Sequence, residues 1–183
     1  MKLFLFSKDP FSGVLSTISV WSKNSSSNLR RCVAIAVRSA GNLRKEEWTK
    51  PLISLLEPLL PDKTLYVRKN LGPYAIGDGL LRCYPDFTLK HLRGWAHRKD
   101  EGTRWNVAMA FASYGGNKNW REGIEILAAL ANDERRYVWR AVASSLLYLA
   151  RRHPEVQDML KTWLKDSRKF KVAETVLRYL KKR

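Results

Sequence analysis

Apolar positions recur at helical intervals along nearly the whole chain. Val138, Ala141, Val142, Ser145, Leu146 and Leu149 fall at i, i+3, i+4, i+7, i+8 and i+11, which is one face of a helix. Ile124, Leu127, Ala128, Leu130 and Ala131 mark the helix before it, and Asn132-Asp133-Glu134 reads as the turn between them. No segment sustains a period of two. Pro51, Pro58, Pro61, Pro85, Gly94, Gly102, Gly115-Gly116 and Pro154 sit where helices should end. The pattern predicts an all-α chain.

A longer period organises these helices. Leu29-Arg30-Arg31-Cys32-Val33-Ala34 returns as Val67-Arg68-Lys69-Asn70-Leu71-Gly72, as Thr103-Arg104-Trp105-Asn106-Val107-Ala108 and as Val138-Trp139-Arg140-Ala141-Val142-Ala143. A degenerate copy starts at Phe170-Lys171-Val172-Ala173. The anchors Leu29, Val67, Thr103, Val138 and Phe170 are 38, 36, 35 and 32 residues apart, room for two helices and two turns per unit. One helix pair cannot bury its apolar face alone, so about five hairpins are expected to stack into a right-handed α-α superhelix, a HEAT-like or ARM-like solenoid. The tetratricopeptide signature is absent. The whole chain, residues 1–183, reads as a single repeat domain. Each anchor follows a turn rich in Ser, Asn, Asp or Thr, side chains able to cap the helix that begins there.

Charge changes the picture. Lys and Arg number 34 against 17 Asp and Glu, a formal net charge of +17. Hydrophobic residues make up 45 % and aromatics 11 %, including seven Trp, which excludes a disordered basic tail. Such a field attracts polyanions. The two cysteines, Cys32 and Cys83, fit two buried free thiols better than a disulfide scaffold or a metal site. His91, His97 and His153 are too scattered for metal ligation, and neither a metal nor a cofactor is expected. The four-residue apolar run Leu3-Phe4-Leu5-Phe6 falls short of the about 7–15 apolar residues of a signal peptide, so a cytoplasmic protein with no membrane partner is expected.

The repeat places its charge in register. One residue past each anchor stand Arg30, Arg68, Arg104, Trp139 and Lys171, and the next position holds Arg31, Lys69, Trp105, Arg140 and Val172. Every unit thus carries a cation on the first turn of its second helix. Stacked units would align these cations along a concave wall that matches a row of phosphates. The competing reading is structural: first-turn arginines bridging to acidic turns, with Asp62, Asp100 and Asp133 available. Trp105 and Trp139 occupy cation positions, and rings beside cations suit stacking on bases or sugars. Trp21, Trp48, Trp95, Trp120 and Trp163 read as packing between helices.

Three stretches resemble the AlkD/AlkC group of bacterial alkylpurine DNA glycosylases, which are built from HEAT-like repeats. They are Ile18-Ser19-Val20-Trp21-Ser22 with Leu29 to Ala34; Tyr66 to Gly72 with Tyr84-Pro85-Asp86; and Tyr137 to Leu146 with Arg152-His153-Pro154-Glu155. The likeness runs over roughly residues 14–165. It implies a solenoid that holds double-stranded DNA on a basic concave surface. In active relatives a carboxylate stabilises charge developing on the sugar as the base leaves. Here the family's aspartate-bearing upstream helix has no counterpart. Met1 to about Gly13 offer only Asp9, so the N-terminal part is truncated relative to the family, or the catalytic group has moved or is missing. Asp78, Asp100 and Glu101 remain as weak catalytic candidates.

The sequence therefore leads to non-specific duplex binding by a row of Arg30, Arg31, Arg68, Lys69, Arg104, Arg140 and Lys171, with Trp105 and Trp139 beside it. A monomer that associates with the nucleoid when bound to DNA is expected, either an alkylpurine glycosylase or a non-catalytic relative recognising damaged or distorted DNA. The alternative is a repeat adaptor for an acidic protein or an RNA-containing partner.

Overall fold

A computed structural model describes residues 10–181. Five helical hairpins follow one another. The first pairs α1 (Pro10–Ser22) with α2 (Ser27–Gly41). The second pairs α3 (Thr49–Leu56) with α4 (Leu65–Asn70), which runs on as a π-helix over Leu71–Leu81. The third is α5 (Pro85–Ala96) with α6 (Glu101–Ala110). After the short α7 (Tyr114–Lys118) come α8 (Trp120–Leu130) with α9 (Arg136–Ala150), then α10 (Pro154–Trp163) with α11 (Phe170–Leu180). No strand occurs among the described residues.

The second helices form one layer. α2 packs on the π-helix, the π-helix on α6, α6 on α9, and α9 on α11. First helices cover the other side, with α1 against α3 and α5 against α8. One continuous apolar core lies between the layers, from Val33 and Leu56 through Leu71, Leu92, Val107 and Leu127 to Leu146, Leu160 and Val176. The chain is a helical-repeat solenoid.

Buried polar groups tie the units together. Asn106 Nδ2 donates to Leu60 O (2.9 Å) and Gly102 O (3.0 Å), and Ser145 Oγ donates to Ala108 O (2.8 Å). Each bond satisfies a buried donor that would otherwise cost stability.

Two local features differ from the sequence reading. By sequence Gly72, Gly77 and Gly79 lie in a helix-end context, yet the segment, with Pro73 inside it, continues as a wide helix of 11 residues. Pro73 lacks an N–H and so cannot extend the α-helical ladder of α4. Small residues let neighbours come close: a Cβ on Gly79 would lie 3.0 Å from Arg38 Cα, and one on Gly77 would meet Ala110 O at 2.5 Å. Cys32, expected to be buried, is exposed, while Cys83 is half-buried. The buried face of α2 is Val33, Ala34, Val37 and Gly41, and Cys32 falls one residue off it. No helix among the described residues is long and apolar enough to cross a membrane.

Candidate functional site

The anchor register sorts the cations of the second helices into two kinds. Arg30 Nε donates to Asp62 Oδ2 at 2.6 Å, and the same guanidinium also donates to the Asn24 and Ser25 carbonyls. Arg104 Nε meets Asp133 Oδ2 at 2.7 Å, and Arg135 adds a second pair to that oxygen at 2.6 Å. The carboxylates are 6 % and 4 % exposed. Burial pushes both acids up, but the donors around them outweigh it. Arg30 and Thr64 hold Asp62 below the usual carboxylate range, and Arg135 with Arg104 does the same for Asp133. Arg30 and Arg104, placed in the binding row by sequence, are therefore engaged in bridging adjacent units.

Asp62 and Asp133 each stand five residues before an anchor. The same place before the other three anchors holds Asn24, Arg98 and Lys165. All five are equivalent in the fold: Asn24, Asp62, Arg98, Asp133 and Lys165 each donate their backbone N–H to the carbonyl three residues back, at 3.2, 3.0, 3.0, 3.1 and 3.1 Å. At the last junction an acid stands one residue later, where Asp166 accepts from Arg168 N (3.0 Å) and pairs with Lys169 (3.2 Å). In the turn that follows Arg68 the corresponding place holds Arg98, which pairs with Glu57 (2.8 Å), and Asp100 caps α6. Instead of a carboxylate, Arg68 has rings: its guanidinium lies 5.3 Å from the Trp105 centroid and 5.7 Å from that of Tyr137.

Ring stacking recurs along the layer. Arg31 stacks on Tyr66 (4.5 Å), Arg38 on Tyr74 (4.8 Å), and the Lys171 ammonium on Trp139 (4.2 Å). Such contacts contribute about 0.5–1 kcal/mol where exposed. A guanidinium stacked by its face keeps its in-plane N–H fork for an anion, whereas one paired to a buried carboxylate does not. Lys69 and Arg140 are exposed.

The layer opens into two neighbouring cavities. One, of about 460 Å³ between α6 and α9, has Trp105, Met109 and Tyr137 as apolar walls and Arg136, Arg140 and Ser144 as polar ones. The other, of about 390 Å³ between α9 and α11, shares Arg140 and Ser144 and adds Trp139, Arg178 and Tyr179. Neither is lined by Asp or Glu.

The weak carboxylate candidates have structural work. Asp78 Oδ1 accepts from Tyr114 N (2.8 Å), and Asp100 Oδ1 caps α6 by accepting from Thr103 N (2.7 Å). Glu101 is half-buried in the first turn of α6. Asp9 lies outside the described residues. Of the expected caps only Asp100 acts as one; Ser26 and Thr64 sit at N-cap positions without a capping side-chain bond, and the turns are organised instead by Asn24, Asp62 and Asp133 accepting from Ser26 N, Thr64 N and Arg135 N. No group of three or more His, Cys, Asp or Glu able to hold a metal occurs among the described residues.

Tyr66, Tyr137 and Arg136 were not singled out as binding residues from sequence, and Arg178 reads there only as part of the basic last stretch. Tyr66 and Tyr137 share a signal that could have found them: each immediately precedes an anchor, in register with the cations that follow.

No protein-family model and no curated protein matches the chain. Solved structures that resemble it include an engineered protein from a structural-genomics consortium, at 18 % identity over 92 % of this chain and 81 % of that one, with a TM-score of 0.45. Another is a computationally designed armadillo repeat protein for modular peptide recognition, at 18 % identity over 92 % of this chain and 82 % of that one, with a TM-score of 0.41.

Proposed function

We propose that this solenoid binds duplex DNA non-specifically through the layer of second helices, as a non-catalytic relative of the alkylation-repair proteins it resembles. One observation carries the reading. Arg31, Arg68, Arg136 and Arg140 share a wall with Tyr66, Trp105 and Tyr137, and no carboxylate lines the two cavities that share Arg140. A glycosidic bond is broken with help from a carboxylate beside the sugar. Asp78 and Asp100 hold backbone amides instead. Binding, rather than base excision, is what the wall is equipped for.

The experiment is a salt titration. Each phosphate contact contributes about 0.9 to the slope of log affinity against log salt. Reversing Arg68 and Arg140 together (R68E/R140E) should flatten that slope by about 1.8. Unchanged affinity and slope after both reversals would remove the DNA reading. So would salt-insensitive binding to an acidic protein with none to a duplex. Incubation with alkylated duplex should release no methylated purine above the heat-induced background; release would restore the glycosylase reading that the resemblance implies.

A further inference from the structure

The cavity between α6 and α9 has walls that an intact duplex cannot use. Paired bases hide their faces in the stack and present only edges and phosphates. Trp105 and Tyr137 offer ring faces, and Tyr137 is 59 % exposed. A lone surface tyrosine is ordinary. This one lines, together with Trp105, a cavity of about 460 Å³, within the size range of small-molecule sites. Arg136 and Arg140 lie one turn apart on α9, on the face that lines the same cavity. Two guanidinium groups so placed suit the phosphates on either side of a single nucleotide.

The charge of the ligand is also constrained. Arg68 stacks on both rings yet does not line the cavity, so it fills the cation position of those rings from outside it. Arg136 and Arg140 add positive charge at the walls, and no acid offsets it. Ser144 uses its proton on the Arg140 carbonyl (2.9 Å), which leaves its oxygen free only to accept. These surroundings disfavour a cationic base and favour a neutral one bearing an amino or ring N–H group.

We propose that this cavity takes one unpaired, uncharged nucleotide, stacked on Trp105 and Tyr137 with its flanking phosphates on Arg136 and Arg140. The proposal rests on the DNA reading above and narrows it to DNA with an extrahelical or unpaired nucleotide.

The test compares a fully paired duplex with the same duplex carrying one extrahelical fluorescent purine analogue, at fixed salt. The bulged duplex should bind at least about fivefold more tightly, with the analogue quenched by stacking. Tyr137→Ala and Trp105→Ala should each abolish that preference, read as the ratio of bulged to paired affinity within each variant, and should abolish the quenching. Because Tyr137 is exposed, its substitution leaves the core intact, and Trp105→Phe should restore part of the preference. A bulge carrying a ring-methylated cationic purine should bind no more tightly than the neutral one. Equal affinity for paired and bulged duplexes, a preference that survives both alanine variants, or tighter binding of the cationic bulge would each overturn the proposal and leave duplex binding standing. Failure to bind either duplex would overturn both.

Discussion

Substituting Asp133→Asn tests whether the paired arginines belong to the scaffold. Asp133 forms an ion pair with Arg104 Nε at 2.7 Å and accepts from Arg135 at its Nε (2.8 Å), terminal nitrogen (2.6 Å) and backbone N (2.9 Å). Asparagine keeps one acceptor oxygen and the shape, but takes away the negative charge that partners two guanidinium groups. Breaking a fully buried pair costs about 3–5 kcal/mol, and an exposed pair contributes about 0–1 kcal/mol. Asp133 is 4 % exposed, while Arg104 and Arg135 are 20 % and 34 % exposed and can partly rehydrate. A cost of about 2–3 kcal/mol lies between those limits. For a chain of this size that lowers the melting temperature by about 4–12 °C. Circular dichroism melts at neutral and acid pH read it directly. The folded-state carboxyl is held below its ordinary value, so its contribution is present above the unfolded pKa near 4 and disappears as pH falls through the folded one. The gap between parent and D133N should therefore close on acidification. Arg104→Gln should lower stability likewise, yet leave the salt slope of duplex binding unchanged. A D133N melt within about 1 °C of the parent at neutral pH, or an R104Q protein with a flattened salt slope, would refute the assignment.

Two further substitutions probe how the units are joined. Gly77→Ala should cost about 3 kcal/mol in a denaturant melt, because the added carbon meets Ser113 Oγ and Ala110 O (2.5 Å) with backbone on one side unable to retreat. Asn106→Ala removes the bonds to Leu60 O and Gly102 O and should cost about 2 kcal/mol by the same measure, with duplex affinity unchanged.

What the sequence made legible follows from its periods. The anchors at Leu29, Val67, Thr103, Val138 and Phe170 announced the second helices, because a repeated apolar face has to be buried by a repeated neighbour. The Arg30 and Arg104 bridges were within reach as one of two readings of the same register. Asp100 misled, since it stands three residues before its anchor and caps α6, whereas the bridging acids stand five before theirs. The π-helix was hidden because Gly72, Pro73, Gly77 and Gly79 are the residues that usually punctuate. Only the closeness of Arg38 and Ala110 explains why they lie inside an element. The Arg68 stack on Trp105 and Tyr137 spans two repeat boundaries, and periodicity within single units carries no signal for it.

The acids at the junctions separate stability from binding, and one position can reverse this. Arg30 and Arg104 each reach the acid of the following turn, whereas the corresponding place in the turn after Arg68 holds Arg98. Replacing Arg98→Asp should supply the missing acid in the same turn geometry that Asp62 and Asp133 use. The exchange removes the Arg98–Glu57 pair, whose side chains are 38 % and 40 % exposed, a loss of about 0–1 kcal/mol. A new bridge to Arg68 would offset that loss, so the melting temperature should hold or rise. Arg68 would leave Trp105 and Tyr137, and the duplex salt slope should fall by about 0.9 with no change in any residue of the wall itself. An R98D protein with an unaltered slope and lowered stability would mean that Arg68 does not reach this turn. The register of acids, rather than the cations alone, would then no longer explain which arginines remain available to a ligand.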